Sequence, residues 1–278
     1  MRVAILGMGA IGHVVARALD GRADVVGVDR TRSPLRDGEP LVEAAVVCTK
    51  AYGTAWAADA AERVVAPDGV VATIQNGLGN FEVLAERIGA DRVSLGAIYV
   101  GARLLPDGSL FATGPGRVEL GRPRDPKAAA ALERLAELLA AGGMSVSVVD
   151  DARPTVWRKL AVNAAMNPTT AIFGLTNGGL LGHPAAEPLS DELARETARV
   201  ATAAGVALDE GEMVRAWRDV AKRLGDNRSS MLQDVDAGKP TEIDAINGAV
   251  VREGARHDVR TPLNEAIVLL MKAVEGKR

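Results

Sequence analysis

The chain is poor in the residues that build disulfides and metal sites. Cys48 is the single cysteine among 278 residues. No disulfide can close within the chain, and a reducing, cytoplasmic setting is expected. Its three histidines, His13, His183 and His257, lie far apart in sequence, which argues against a His/Cys metal site. No stretch approaches the roughly eighteen apolar residues of a membrane-spanning helix. Excess charge is also absent: 33 Lys and Arg stand against 36 Asp and Glu, a formal net charge of −3. Such a balance offers no basic footprint for nucleic acid or an anionic membrane surface. The start is apolar and glycine-rich, with no charged leader ahead of a cleavage site, so a secretory signal is not expected.

What is present suits a globular chain with a sizeable core, of a length that favours two domains. Short aliphatic runs at 2–6, 24–30, 44–50, 69–77 and 92–105 read as strands, the last running long. Helical patterns lie between several of them, the signature of a parallel sheet with right-handed crossovers. Residues 108–121 read as a hairpin-like pair, 125–143 as a helix and 145–149 as a closing strand. After 150–154 the strand patterns stop, and 154–173, 185–205, 209–224 and 241–257 read as helices. A domain boundary is placed near Asp151, giving domains 1–150 and 151–278.

"GMGAIG" sets Gly7, Met8, Gly9, Ala10, Ile11 and Gly12 in the G-x-G-x-x-G spacing, after a strand and at the opening of a helix. The first glycine permits a tight turn, the second lets backbone approach a pyrophosphate, and the third lets helix and strand pack closely. The helix N-terminus adds free N–H groups and partial positive charge. A purely structural glycine turn is the alternative. The expected fold is therefore an α/β Rossmann-type N-terminal domain, a parallel sheet with helices on both faces, joined to an all-α C-terminal domain. At the end of the second strand two signals conflict: Asp29 suits a ribose hydroxyl, as in NAD binders, and Arg30 and Arg32 suit a 2′-phosphate, as in NADP binders. The balance leans to NADP, with Arg30 as main contact. Lys50 follows the third strand and Asn76 the fourth, where open α/β sheets bind ligands; a surface lysine and an Asn-Gly turn are the plainer readings.

In "WRKLAVNAAMN", residues 157–167, Lys159, Asn163 and Asn167 interrupt an apolar helix every four residues and so share one narrow stripe. Asn167 precedes Pro168, where a bend is expected. Spacing alone permits a structural role for the amides. Arg158 points away, toward packing or the surface. Ser230 reads locally as a helix-start cap, and Glu242 as a first-turn charge.

"GMGAIG", "VVCTKA", "QNG", "WRKLAVNAAMNPTTAI", "TNG", "SSMLQD" and "TEIDAINGAV" occur in this order. Together they resemble the ketopantoate reductase family of pantothenate biosynthesis over nearly the whole chain. The resemblance implies NADPH-dependent reduction of a 2-keto acid, with Lys159 as proton donor. It implies Asn163, Asn167, Asn177 and Ser230 at the substrate, Ser230 on its carboxylate. Glu242 would sit near the nicotinamide ribose, Asn76 and Lys50 on the cofactor, and Arg30 on its 2′-phosphate. It also implies a homodimer. Residues 31–43 are short for a crossover helix and leave an open adenosine end, which keeps NAD as an alternative.

In such a reaction a positive donor aimed at the ketone oxygen stabilises the developing charge and gives it a proton. Burial would lower the pKa of Lys159, and Glu242 would oppose that. No metal is needed, and the stripe is expected to face a cleft between two domains. The competing readings are a relative acting on another 2-keto or 2-hydroxy acid, possibly with NAD, and a non-catalytic dinucleotide sensor. A dimerisation role for the helical half is compatible with catalysis.

Overall fold

The computed structural model describes residues 1–30 and 39–276. Arg32 and most of the short 31–43 segment lie outside them. By its contacts the chain forms two compact units, one of residues 1–75 and 79–155, the other of residues 76–78 and 156–278.

The first unit opens with β1 (Arg2–Leu6), α1 (Ala10–Leu19), β2 (Asp24–Val28), β3 (Val42–Val47), α2 (Thr54–Val64), β4 (Val65–Thr73), α3 (Asn80–Ile88) and β5 (Val93–Tyr99). It continues through β6 (Ala102–Leu104), β7 (Leu110–Ala112), β8 (Arg117–Gly121), α4 (Pro126–Ala141) and β9 (Ser145–Val149). The main sheet has the order β2-β1-β3-β4-β5-β8-β9. Strand periodicity explains how it is covered on both faces. Val3 and Ile5 of β1 pack with α1 and α4, while the alternating Ala4 and Leu6 pack with α2 and α3. Helix α4 starts cleanly because Pro126 follows the Asp125 cap, whose carboxylate accepts the Lys127 and Ala128 N–H groups.

Two strand expectations are corrected. Residues 92–105 are two strands, β5 and β6, that belong to different sheets. Residues 108–121 are not a hairpin: β7 pairs with β6, and β8 pairs antiparallel with β5. The sheet is therefore parallel from β2 to β5 and reverses at β8. Runs of alternating residues define strands but not their partners, because pairing is a long-range choice.

The second unit takes the residues of α5 (Arg153–Phe173) from Val156 onward, then α6 (Ala186–Ala203), α7 (Glu210–Arg223), α8 (Ser230–Asp236), α9 (Asn247–Arg256) and α10 (Pro262–Gly276). One apolar cluster holds it, with Trp217, Leu160, Leu193 and Met213 at its centre. The expected helix over 241–257 begins only at Asn247, because residues 241–246 form turns closed by the Ala245 and Ile246 N–H groups on the Glu242 carbonyl. Helix α10 was not foreseen, and α8 was signalled only by the helix-start cap expected at Ser230. Among the described residues no helix is long and apolar enough to cross a membrane.

The glycine turn makes distinct demands at each position. Gly7 has φ +105°, and a Cβ on Gly12 would lie 2.1 Å from the Gly7 carbonyl oxygen. A Cβ on Gly9 would meet nothing within 4 Å. Gly12→Ala should thus lose about 3 kcal/mol of unfolding free energy in urea titrations, from overpacking against backbone. Gly9→Ala should stay within about 1 kcal/mol. Equal losses would contradict this reading of the turn.

Candidate active site

The second unit carries a buried charge. Lys159, Asn163 and Asn167 follow one another at intervals of four along α5. Asn167 is buried, while Lys159 and Asn163 keep a minor exposure. Burial pushes the Lys159 ammonium down from 10.5 to about 8, and the negative charge of Glu242 acts in the opposite direction. Glu242 is itself 5% exposed and accepts a hydrogen bond from Asn76 Nδ2 at 3.2 Å. Asn76 reaches it because 76–78 runs against the turn after Glu242: the Leu78 N–H donates to the Ala245 carbonyl at 3.0 Å. Gly77 has φ +85°, and a Cβ there would lie 2.2 Å from that carbonyl oxygen. The Asn-Gly turn and the ligand-type role of Asn76 are thus not exclusive. Three residues distant in sequence, Asn76, Lys159 and Glu242, form one electrostatic group.

Asn177 sits at the start of a short turn whose backbone bonds to the 225–227 loop. Its Oδ1 is buried without a hydrogen-bond partner, an atom that a ligand hydroxyl or ammonium would satisfy. Ser230 is exposed at the first position of α8. The cap expected of it belongs to Ser229, whose hydroxyl accepts the Leu232 N–H. Ser229 Oγ also lies 2.6 Å from Thr170 Oγ1 of α5, so the buried serine frees its neighbour. Arg158 is exposed and pairs with Glu212 at 2.7 Å.

In the first unit, three sequence-selected groups lie at the carboxyl ends of adjacent parallel strands. The glycine turn follows β1, Asp29 and Arg30 follow β2, and Lys50 follows β3. The chain passes from β1 to β2 on one side and then from β2 back to β3 on the other side of β1, which makes this the switch point where open α/β sheets bind ligands. Gly9 is the N-cap of α1 with no side chain folded over the helix end, so the space above its N–H groups is what a phosphate needs. Arg30 is exposed and Asp29 partly buried. Sequence reasoning passed over Gln75. Its Nε2 donates to the Thr49 carbonyl at 3.0 Å and to Thr54 Oγ1 at 2.9 Å. It thereby clamps the loops that carry Lys50 and lead into Asn76; its place beside Asn76 in "QNG" was the available signal. Cys48 is partly buried, and desolvation pushes its thiol well above the usual range.

Comparison with known proteins shows the family. Residues 37–125 match the family described as Ketopantoate reductase PanE/ApbA, and residues 151–275 match its C-terminal counterpart. The 2-dehydropantoate 2-reductase of Halobacterium salinarum is 34% identical over 99% of both chains. The chain belongs to the ketopantoate reductase family. The Archaeoglobus fulgidus 2-dehydropantoate 2-reductase is also 34% identical, over 99% of this chain and 98% of that one. Among solved structures, 2-dehydropantoate 2-reductase from Geobacter metallireducens superposes with TM-score 0.86 at 25% identity, covering 98% and 99% of the two chains. A D-mandelate dehydrogenase complex with NADH and anilino(oxo)acetate superposes with TM-score 0.90 at 25% identity, covering 100% and 99%. In this ketopantoate reductase family member, the matched segments include Lys50, Asn76, Lys159, Asn163, Asn167, Asn177, Ser230 and Glu242.

The buried ammonium has a thermodynamic signature. A lysine whose folded pKa is near 8 binds fewer protons folded than unfolded between about pH 8 and 10.5, so its contribution to stability rises with pH across that window. Unfolding free energy of the unaltered protein, minus that of Lys159→Met, should increase from pH 8 to 10 by about 2 kcal/mol. A pH-independent difference in urea titrations would refute the buried charge.

Proposed function

We propose that this chain catalyses the NADPH-dependent reduction of 2-dehydropantoate (ketopantoate) to (R)-pantoate, a step of pantothenate and coenzyme A biosynthesis. The observation that carries the reading is Lys159, an ammonium held in an apolar helix with its pKa lowered to about 8 and Glu242 beside it. That is the arrangement a ketone reduction without a metal requires: fixed positive charge for the developing oxyanion, and a proton that leaves easily.

The glycine turn suits a dinucleotide, since Gly9 leaves room for its pyrophosphate over the α1 N-terminus. Gly7, Met8, Gly9, Ala10, Ile11 and Gly12 would hold that part, Arg30 the 2′-phosphate, and Lys50, Asn76 and Glu242 the nicotinamide half. The nicotinamide, when bound, supplies the hydride to the C2 ketone. Lys159 delivers the proton to the ketone oxygen. Asn163 and Asn167 orient that oxygen and its neighbouring hydroxyl, Asn177 offers its unsatisfied Oδ1 to a substrate hydroxyl, and Ser230 donates to the carboxylate. Glu242 keeps Lys159 charged below about pH 8, and Asn76 fixes the carboxylate that does so. We place the enzyme in the cytoplasm as a homodimer.

A second reading has specific support in Asp29 at the end of β2 and in the likeness to D-mandelate dehydrogenase. It is a relative that acts on another 2-keto or 2-hydroxy acid with NAD.

Consumption of NADPH and of NADH with ketopantoate, followed by nicotinamide absorbance, separates the two. Turnover with NADPH supports the first reading; turnover only with NADH and other 2-keto acids supports the second. In the reductive direction the rate should fall as pH rises through about 8, where Lys159 loses its proton. Lys159→Ala should lower kcat by about 10²- to 10⁴-fold, and near-normal turnover would reject it as donor. Arg30→Ala should raise KM for NADPH by about tenfold and leave that for NADH unchanged, as expected for loss of a charge-assisted phosphate contact. An equal effect on both would remove Arg30 from the 2′-phosphate.

A further inference from the structure

Helix α5 continues through Pro168. Proline has no N–H, so the hydrogen bond that would return to the carbonyl four residues earlier is missing, and the ring crowds that carbonyl. The carbonyl belongs to Ala164, a fully buried residue, and an unpaired acceptor there would be costly. The missing donor comes from another helix. Asn247, the first residue of α9, donates from Nδ2 to the Ala164 carbonyl at 3.0 Å. The same amide nitrogen donates to Asn264 Oδ1 at 2.9 Å. Asn264 is held in turn by Glu196 of α6, whose Oε2 accepts the Asn264 N–H at 3.0 Å and its Nδ2 at 2.8 Å. The other Glu196 oxygen accepts the Leu263 N–H at 3.0 Å. Asn247 and Asn264 are 0% exposed and Glu196 2%.

This network does more than satisfy buried atoms. Ala164 lies between Asn163 and Asn167, on the turn that carries both proposed substrate amides. Asn247 lies five residues after Glu242, on a segment closed by the Ala245 and Ile246 N–H groups on the Glu242 carbonyl at 3.0 Å. One hydrogen bond from a side-chain amide therefore joins the backbone that carries Glu242 to the turn that carries the asparagines. The neighbouring side-chain donors serve other carbonyls: Thr169 and Ser190 bond to that of Ala165, and Thr170 to that of Asn167.

We infer that Asn247 is a positioning residue: its amide replaces the hydrogen bond withheld by Pro168 and sets Asn163 and Asn167 in register with Lys159 and Glu242. Glu196 and Asn264 hold that amide in its donating orientation. The inference rests on the proposed role of the α5 stripe in keto-acid reduction.

The test compares the unaltered protein with Asn247→Leu, Pro168→Ala and the double variant, using ketopantoate kinetics and fluorescence titration of NADPH. Asn247→Leu should lower kcat/KM for ketopantoate by about tenfold, through misplaced substrate amides, while the NADPH Kd stays within about twofold. Pro168→Ala restores a backbone N–H aimed at the Ala164 carbonyl. In that background the Asn247→Leu change should cost less than about threefold. Unchanged kinetics in folded Asn247→Leu protein, or the same tenfold loss in both backgrounds, would overturn the inference. If Asn247→Leu alone does not fold, the pair in the Pro168→Ala background decides by the same threefold and tenfold outcomes. If the unaltered protein binds NADPH but does not turn ketopantoate over, the assigned reaction fails instead. The positioning claim is then read from amide hydrogen exchange between Ala165 and Ala171. Exchange faster in Asn247→Leu and restored in the double variant supports it, and unchanged exchange overturns it.

Discussion

The burial of one ammonium group constrains much of the second unit. Removing Lys159 from water is unfavourable, and desolvation lowers its pKa from 10.5 to about 8 against the opposing charge of Glu242. The cost is tolerated because Glu242 stands near it, and Glu242 is tolerated because Asn76 donates to it. Asn76 is there because Gly77 adopts a backbone conformation with φ +85° and brings 76–78 against the Ala245 carbonyl. Each step repairs the desolvation left by the one before. Such a chain of dependent polar contacts rigidifies a site only when every member is satisfied.

The apolar surroundings supply the other half of this balance. Leu160, Ala161, Ala164 and Ala165 flank the polar stripe on α5 and are buried in the main cluster of the unit. They keep the dielectric low around Lys159, which strengthens both its desolvation and its attraction to Glu242. Helix α5 has an interrupted hydrogen-bond ladder at Pro168, and the Asn247 side chain of α9 completes it. The first unit works by different means. There the positive character comes from backbone N–H groups at the α1 N-terminus rather than from a buried side chain.

Local pattern made much of this legible in the amino-acid order. The glycine spacing announced a strand, a tight turn and a helix, because Gly7 and Gly12 answer steric demands within a dozen residues. The α5 stripe was visible because a 3.6-residue period fixes which side chains share a helix face. The lowered pKa of Lys159 and the opposition of Glu242 followed from residue chemistry once the two were considered together. The strand runs were legible, but the reversal at β8 was not, since β8 finds its partners 18 to 24 residues back along the chain and 28 residues ahead.

What the sequence determined by itself, then, is whatever depends on neighbours along the chain: the glycine turn, the amphipathic helices and the stripe of Lys159, Asn163 and Asn167. Only the tertiary structure decided that Asn76 bonds to Glu242, that Ser229 rather than Ser230 caps α8, and that Asn247 serves the carbonyl left open by Pro168. These are hydrogen bonds between groups as many as 166 positions apart. Their partners are selected by burial, where an unsatisfied polar atom is costly, and burial is a property of the folded chain.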